Sequence, residues 1–421
     1  MTKFLLKYFS NKTTLLIFIL LLIVQIFTRF SYPDTKSDFS WDQIDNAWAA
    51  KNIIYDHKFP LVGMQAKGNT GFYIGPYYYY LITPFYLATD LDPYASIVIA
   101  GFTSIIMFFL TYLLVRDMMG EKIALFATFF EVFSFYIIGL DRTQWPVNLI
   151  APVSLIIFYS LYKIMNGNVR YILLLIASFG FSLHVHFTSV FYIPLIILCL
   201  PFFPRKKLSI KYLLLSFPIL LFFIFPIIIS SFGKGSTHVL GYLSSSYLGF
   251  HLRRVFQIIG DGFIEYEGIA DFQYFKKIGL LLFPTFLLVS FIAFYRTSKV
   301  YLIYLSLIWV ILPWLFFATY GGEISNYYFS ITRPVVLISL AYLLYILFEN
   351  KKIIGKLSVF VILLLYVYVN SKQFFAFKAR GLGYYREKVD EKIKNGVDIE
   401  FSQGNPESYL YFIKKQRYDK K

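Results

Sequence analysis

Two carboxylates three residues apart, Asp42 and Asp45, are the first groups in this chain that could do chemistry. Residues at that spacing are neighbours on a helix surface. Ser40-Trp41-Asp42-Gln43 has the S-x-x-Q form of a capping box, so a helix is expected from about residue 41 to 55, with Asp42 in its first turn. Trp41, Ile44, Trp48 and Tyr55 share one face of it, so it is expected to lie flat on the membrane surface. A carboxylate there can act as a general base, or it can simply complement the helix dipole. Asp141 is a further carboxylate, next to Arg142. Arg142 and Arg333 stand at the mouths of apolar segments. A guanidinium fork in that position suits a phosphate, or anchors the segment by snorkelling. Lys67, Arg253 and Arg254 add cations on the same side. His184 and His186 are two apart, which a helix would splay and an extended turn would let converge. They read as a metal pair or as a hydrogen-bonded helix end. Glu131 lies midway along an apolar run, where an acid is costly and marks either function or a Tyr or Lys partner across the bundle.

The elements that must position these groups cross a membrane. The chain is 58% hydrophobic and 15% charged, against roughly 25% charged in a soluble domain. About eleven segments have the composition of spanning helices: 13–30, 94–115, 123–138, 148–165, 171–183, 188–203, 212–230, 278–295, 300–319, 334–348 and 357–370. Residues 182–188 could instead be a break within one longer run. The first segment follows Lys3, Lys7 and Lys12 but is long for a signal peptide and lacks an A-x-A-like site, so an uncleaved helix is expected.

Lys and Arg concentrate in alternate short loops: 3–12, 116–122, 163–170, 205–211, 296–299 and 351–356. The positive-inside rule puts the N-terminus in the cytoplasm of a multi-pass plasma-membrane protein. The C-terminus and the long loops 31–92 and 231–277 then face outward, followed by the polar tail 371–421. The formal charge of +16 is explained by topology and anionic lipid rather than nucleic acid. Cys199 is the only cysteine, so an intramolecular disulfide is excluded. There is no P-loop, G-x-G-x-x-G or CxxC motif, and no internal repeat of the kind that builds inverted-repeat transporters.

Three segments in order carry a resemblance. Phe72-Tyr73-Ile74-Gly75-Pro76-Tyr77-Tyr78-Tyr79-Tyr80-Leu81 resembles a Y-x-G-P-x-Y-Y-Y-L stretch in a first outer loop. Arg142-Thr143-Gln144-Trp145-Pro146-Val147-Asn148 is similar to an R-x-x-W-N-P-N stretch, with its Pro one place early. Leu183-His184-Val185-His186-Phe187-Thr188 resembles an L-H-x-T segment. Together they look like the GT-C membrane glycosyltransferases that include protein O-mannosyltransferases and the lipid A aminoarabinose transferase. The resemblance covers roughly residues 1–205.

It implies an all-α integral membrane protein, a single domain over 1–370 with surface helices in its first outer loop. It also implies transfer of a sugar from a polyprenyl-phosphate carrier to a lipid, glycan or protein acceptor on the outer face. Asp42 matches the position of the family's base, although the family's Asp-Glu pair reads Asp42-Gln43 here. Asp45 and Asp141 are the second choices. Arg142, Arg333, Lys67, Tyr77, Tyr78, His184, His186 and Arg253 are the expected substrate-binding residues. A phosphate leaves as a stable anion, so one base and a few cations are sufficient. No cofactor is required, and a divalent metal is left open. A carrier or flippase for lipid-linked saccharide needs the same cations without the base; a polysaccharide polymerase usually has its large loops later in the chain.

Overall fold

The computed structural model describes residues 9–65, 73–233, 252–261, 287–288, 291–292, 299–320, 324–349, 353–379 and 381–419. Those residues form helices and turns, with no strand among them beyond two isolated bridges. Six of the described helices are long and apolar enough to cross a membrane: Lys12–Phe30, Tyr94–Met119, Pro146–Met165, Ile210–Ser230, Val300–Thr319 and Ile353–Ala376. The pair Glu121–Phe133 and Phe135–Asp141 is apolar enough to make a seventh if it is one span, and it is bent by 70° at Ser134. Val169–Ser182 and Phe187–Phe202 are shorter apolar helices, so residues 182–188 do break the run. Arg333–Glu349 is 17 residues long. Most of the eighth expected segment, 278–295, and most of loop 231–277 lie outside the described residues.

Charged contacts tie the Lys/Arg-rich loops together at one end. Lys163 Nζ meets Asp117 at 2.5 Å, and the Tyr159 hydroxyl donates to the same carboxylate at 2.9 Å. Lys299 donates to the Met118 carbonyl, Lys122 pairs with Glu349 at 2.6 Å, and the Ser10 amide reaches Glu121 at 3.1 Å.

The opposite end carries a cap with its own apolar core, made jointly by the first long loop and the C-terminal tail. Phe39, Ile44, Trp48, Tyr78 and Tyr86 pack there with Leu382, Val389, Tyr409 and Ile413. The tail consists of two helices, Leu382–Lys394 and Pro406–Asp419. Tyr409 donates to the Leu91 carbonyl at 2.9 Å, Arg386 pairs with Asp92 at 2.6 Å, and the Ala379 amide reaches Thr35 at 2.8 Å. Loop and tail therefore share one side, as the charge alternation requires.

The cap also corrects one expectation. The helix at 41–55 forms as Trp41–Ile54, but Ile44 and Trp48 of its expected membrane face are turned into the protein. Its apolar face, Ile44, Ala47, Trp48 and Ile53, is buried against the helix Tyr77–Ala88 and the tail. Trp48 is ringed by Phe401, Tyr409 and Phe412 at 5.0–5.3 Å. Trp41, 66% exposed, lies against Gly404 so closely that a Cβ there would stand 1.9 Å from the indole.

Candidate functional site

Asp42 is held in place through its neighbour in sequence. The Gln43 carbonyl oxygen accepts from the Ser40 amide at 2.9 Å, capping the helix, while its NH₂ donates to the Gln144 carbonyl at 2.8 Å. Gln144 in turn donates to the Tyr78 hydroxyl at 2.8 Å. A glutamate could make the first bond and not the second. The departure from Asp-Glu thus has a structural use: it staples the loop helix to the segment after the bent span.

Among the described residues no cation pairs with Asp42. Burial, first, and then the charges of Asp45 and Asp38 raise its carboxyl to about 6. The dipole of its helix acts the other way, so the neighbourhood outweighs the helix terminus. Asp45 is also raised by burial, and accepts from the Tyr79 hydroxyl at 2.6 Å. Tyr327 lies within Asp42's field, its phenol raised chiefly by burial, with its ring 4.8 Å from Trp145 and 5.5 Å from His186. Asp42 therefore faces a seam between the loop helix, residues 143–148 and the 3₁₀ turn Asn326–Ile331.

The other expected carboxylate and one expected phosphate ligand are engaged elsewhere. Asp141 is paired with Arg29, whose Nη2 and Nε stand 2.8 and 3.0 Å from the same oxygen. Arg29, fully buried, also donates to the Glu131 and Val132 carbonyls at 3.0 and 2.7 Å. Those are among the carbonyls left open where Glu121–Phe133 ends. Arg142 does the same for the first spanning helix and the turn after it. It donates to Thr28 at 2.6 Å, Ser31 at 2.6 Å and Lys36 at 3.0 Å, all backbone oxygens. A guanidinium capping buried helix C-termini complements their dipoles. The phosphate role expected of Arg142 and the base role expected of Asp141 do not fit this geometry.

Arg333 differs. It donates to Ser330 Oγ at 2.7 Å, lies 5.0 Å over the Tyr136 ring, and borders a cavity with Asp141, Glu131 and Asn148. That cavity, about 30 Å³, is large enough for water and too small for a sugar. Glu131 bonds Thr111 rather than a Tyr or Lys.

The histidines take the helix-end role. His184 Nε2 is 2.8 Å from the Phe223 carbonyl, and its ring stacks on Tyr77 at 4.2 Å. Its Nδ1 faces the Tyr77 amide at 3.4 Å, and Gly75 must be glycine because a Cβ would stand 1.9 Å from that nitrogen. His186 Nδ1 accepts from the Thr188 amide at 3.2 Å. Burial lowers both imidazoles to about 4. Tyr77 donates to the Phe222 carbonyl at 2.7 Å, away from the seam, whereas Tyr78, 3% exposed and bonded by Gln144, walls it. Arg253 is exposed on Leu252–Asp261, a helix packed against Val300–Thr319. Lys67 lies outside the described residues. Among those described, no group of three His, Cys, Asp or Glu could hold a metal ion.

Tyr79, Tyr327 and the Gln43–Gln144 link were not singled out from the sequence. The available signal was Asn326-Tyr327-Tyr328 on the same side as the first outer loop, between two apolar spans.

No family profile matches the chain, and no curated protein does. Solved structures do. ArnT from Cupriavidus metallidurans bound to undecaprenyl phosphate aligns over 94% of this chain and 74% of its own, at 10% identity and a TM-score of 0.57. The archaeal oligosaccharyltransferase AglB from Archaeoglobus fulgidus, in complex with an inhibitory peptide and a dolichol-phosphate, aligns over 94% of this chain at 11% identity and a TM-score of 0.54. This chain spans 61% of AglB's length. The same oligosaccharyltransferase in complex with Zn and sulfate gives 12% identity, coverage of 94% and 57%, and a TM-score of 0.56. At these identities the likeness establishes the fold, and the GT-C fold expected from three short motifs is the fold observed.

Proposed function

We propose that this protein is a glycosyltransferase that moves a sugar from a polyprenyl-phosphate carrier to an acceptor on the outer face of the plasma membrane. One observation carries the reading: Asp42, a carboxylate without a cation partner among the described residues, is raised to about 6 and faces a seam walled by Tyr78, Trp145 and Tyr327. A carboxylate placed only to complement a helix dipole has no need of a raised pKa, whereas a base works best near the operating pH. Support comes also from the fold, since neighbours sharing it were solved with undecaprenyl phosphate or dolichol-phosphate bound.

The acceptor oxygen attacks the anomeric carbon, the new C–O bond forms, and the bond from that carbon to the phosphate oxygen breaks. The acceptor's proton passes to Asp42, and polyprenyl phosphate leaves with the electron pair. Arg333 holds the phosphate, and the lipid chain lies between spanning helices.

The test is incubation of purified protein with a panel of polyprenyl-phosphate sugars, following release of polyprenyl phosphate. Release supports the transferase. Passage of lipid-linked sugar across a membrane without release would establish a carrier instead. Orientation is tested separately: a periplasmic-type reporter fused after Lys421 is active and one after Lys207 silent, and the reverse pair would put the site on the cytoplasmic face.

A further inference from the structure

A second cleft runs along the loop helix from Asp45 to Asn52. Asp45, Trp48, Ala49 and Asn52 of that helix form one wall. Lys58, Phe59 and Pro60, with Tyr79, form the other, and Gln403 of the tail closes it. The Lys58–Pro60 wall is fixed from both sides: the Lys58 amide donates to the Asn52 carbonyl at 3.0 Å, and the Tyr80 hydroxyl donates to the Pro60 carbonyl at 2.5 Å. The cleft encloses about 240 Å³, far above the ~10–15 Å³ that admits one water.

We propose that this cleft is the subsite for a neutral saccharide acceptor, an inference that rests on the transferase reading above. Three features select that chemistry. Aromatic rings at Trp48, Phe59 and Tyr79 offer apolar surface to the C–H faces of a sugar ring, and Phe59 is 65% exposed at the rim. Asp45, Asn52 and Gln403 supply the mixed donors and acceptors that match pairs of hydroxyls. Among the described residues that line it, one ammonium, Lys58, is balanced by one carboxylate, Asp45, which favours an uncharged ligand over an anionic one.

The placement also suits the reaction. Asp42 precedes Asp45 by three residues, about 4.5 Å along the helix axis. Asp45, which lines the cleft, is also the like charge that raises Asp42, so a saccharide held at Asp45 sits beside the base. Because Gln403 belongs to the tail, the acceptor site is complete only when the tail packs on the loop.

The experiment uses full-length protein in nanodiscs, with maltotriose, chitotriose and mannotriose as probes, and a threonine-containing tripeptide as the competing class. Saturation-transfer NMR should detect at least one saccharide. Phe59→Ala and Gln403→Ala should each weaken its binding at least fivefold, with melting temperatures within a few degrees of wild type. Binding of none of the three saccharides, undiminished binding in both variants, or binding of the tripeptide alone would overturn the proposal. Acceptor-free release of polyprenyl phosphate by wild-type protein separates the two readings. Saccharide binding without any donor consumption leaves the cleft standing and removes the transferase. Donor consumption without saccharide binding does the opposite.

Discussion

Two charged clusters sit on the same side of this protein and have opposite uses. Under the cap, Arg29, Asp141 and Arg142 form a closed knot: the guanidinium groups meet a carboxylate and the open carbonyls of two helix ends. In the cap seam, Asp42, Asp45 and Asp38 face one another, and among the described residues none of the three is paired with a cation. The knot keeps its charges by saturating them. The seam holds one carboxyl at about 6, where it can exchange a proton near neutrality. The difference shows that the presence of a charge says little about chemistry; whether its partners are already supplied says much more.

The strongest way to break the comparison is Asp42→Asn. It preserves shape while removing the base, so transfer should fall on the order of 10²–10⁴-fold with donor binding retained. A folded Asp42→Asn protein that transfers sugar at the wild-type rate would return Asp42 to the role of first-turn acid.

Arg142→Lys should act on the other side of the contrast. Lys cannot reproduce the fork to Thr28, Ser31 and Lys36, and buried carbonyls left without donors cost about 1–3 kcal/mol each. The expected outcome is a loss of several kcal/mol in stability, read as a lower melting temperature, with donor KM unchanged in the protein that folds. A stable variant with weakened donor use would instead place Arg142 on the phosphate.

Arg142 also marks how far the sequence could be read. The spanning segments, the loop helix and the break at 182–188 follow from apolar run length, capping residues and Lys/Arg alternation, all local signals. Arg142 was legible as a helix-mouth arginine. Its partner was not, because a buried helix C-terminus presents a guanidinium with an oxygen array much like a phosphate's, and only the three-dimensional arrangement says which is there. The loop helix was read as membrane-lying for a related reason. Its apolar stripe is genuine, but Tyr409 and Phe412, more than 350 residues on in the 421-residue chain, cover it. Asp42 was reached through a family motif, whereas its raised carboxyl depends on Asp38 and Asp45 being close together around it.

A smaller effect is expected at Arg333→Lys. The residue borders a cavity rather than closing a helix end, so the fold should survive. Losing a bidentate phosphate contact should raise donor KM roughly tenfold, about 1.4 kcal/mol. An unchanged donor KM would make Arg333 another structural arginine, leaving the donor phosphate to cations outside the described residues.

The smallest effect separates the members of the seam from one another, and it is read from pH. Asp42 is active as a base only when ionised, so transfer by the wild-type protein should decline as pH falls through about 6. Part of that elevation is the like charge of Asp45, which disfavours ionisation of its neighbour. Asp45→Asn removes the charge, so the carboxyl of Asp42 moves down and the acid limb shifts to lower pH. Burial remains the larger cause, so the displacement should be less than about one unit. At pH 7 and saturating acceptor, where Asp42 is mostly ionised in both proteins, kcat should change by no more than about twofold, and a lost acceptor contact at Asp45 would appear in the acceptor KM instead. The sign is what matters. A limb that moves down under Asp45→Asn belongs to Asp42 in the field of its neighbour. A limb that stays fixed is set by another group, and the seam then loses its claim to be the site of proton transfer.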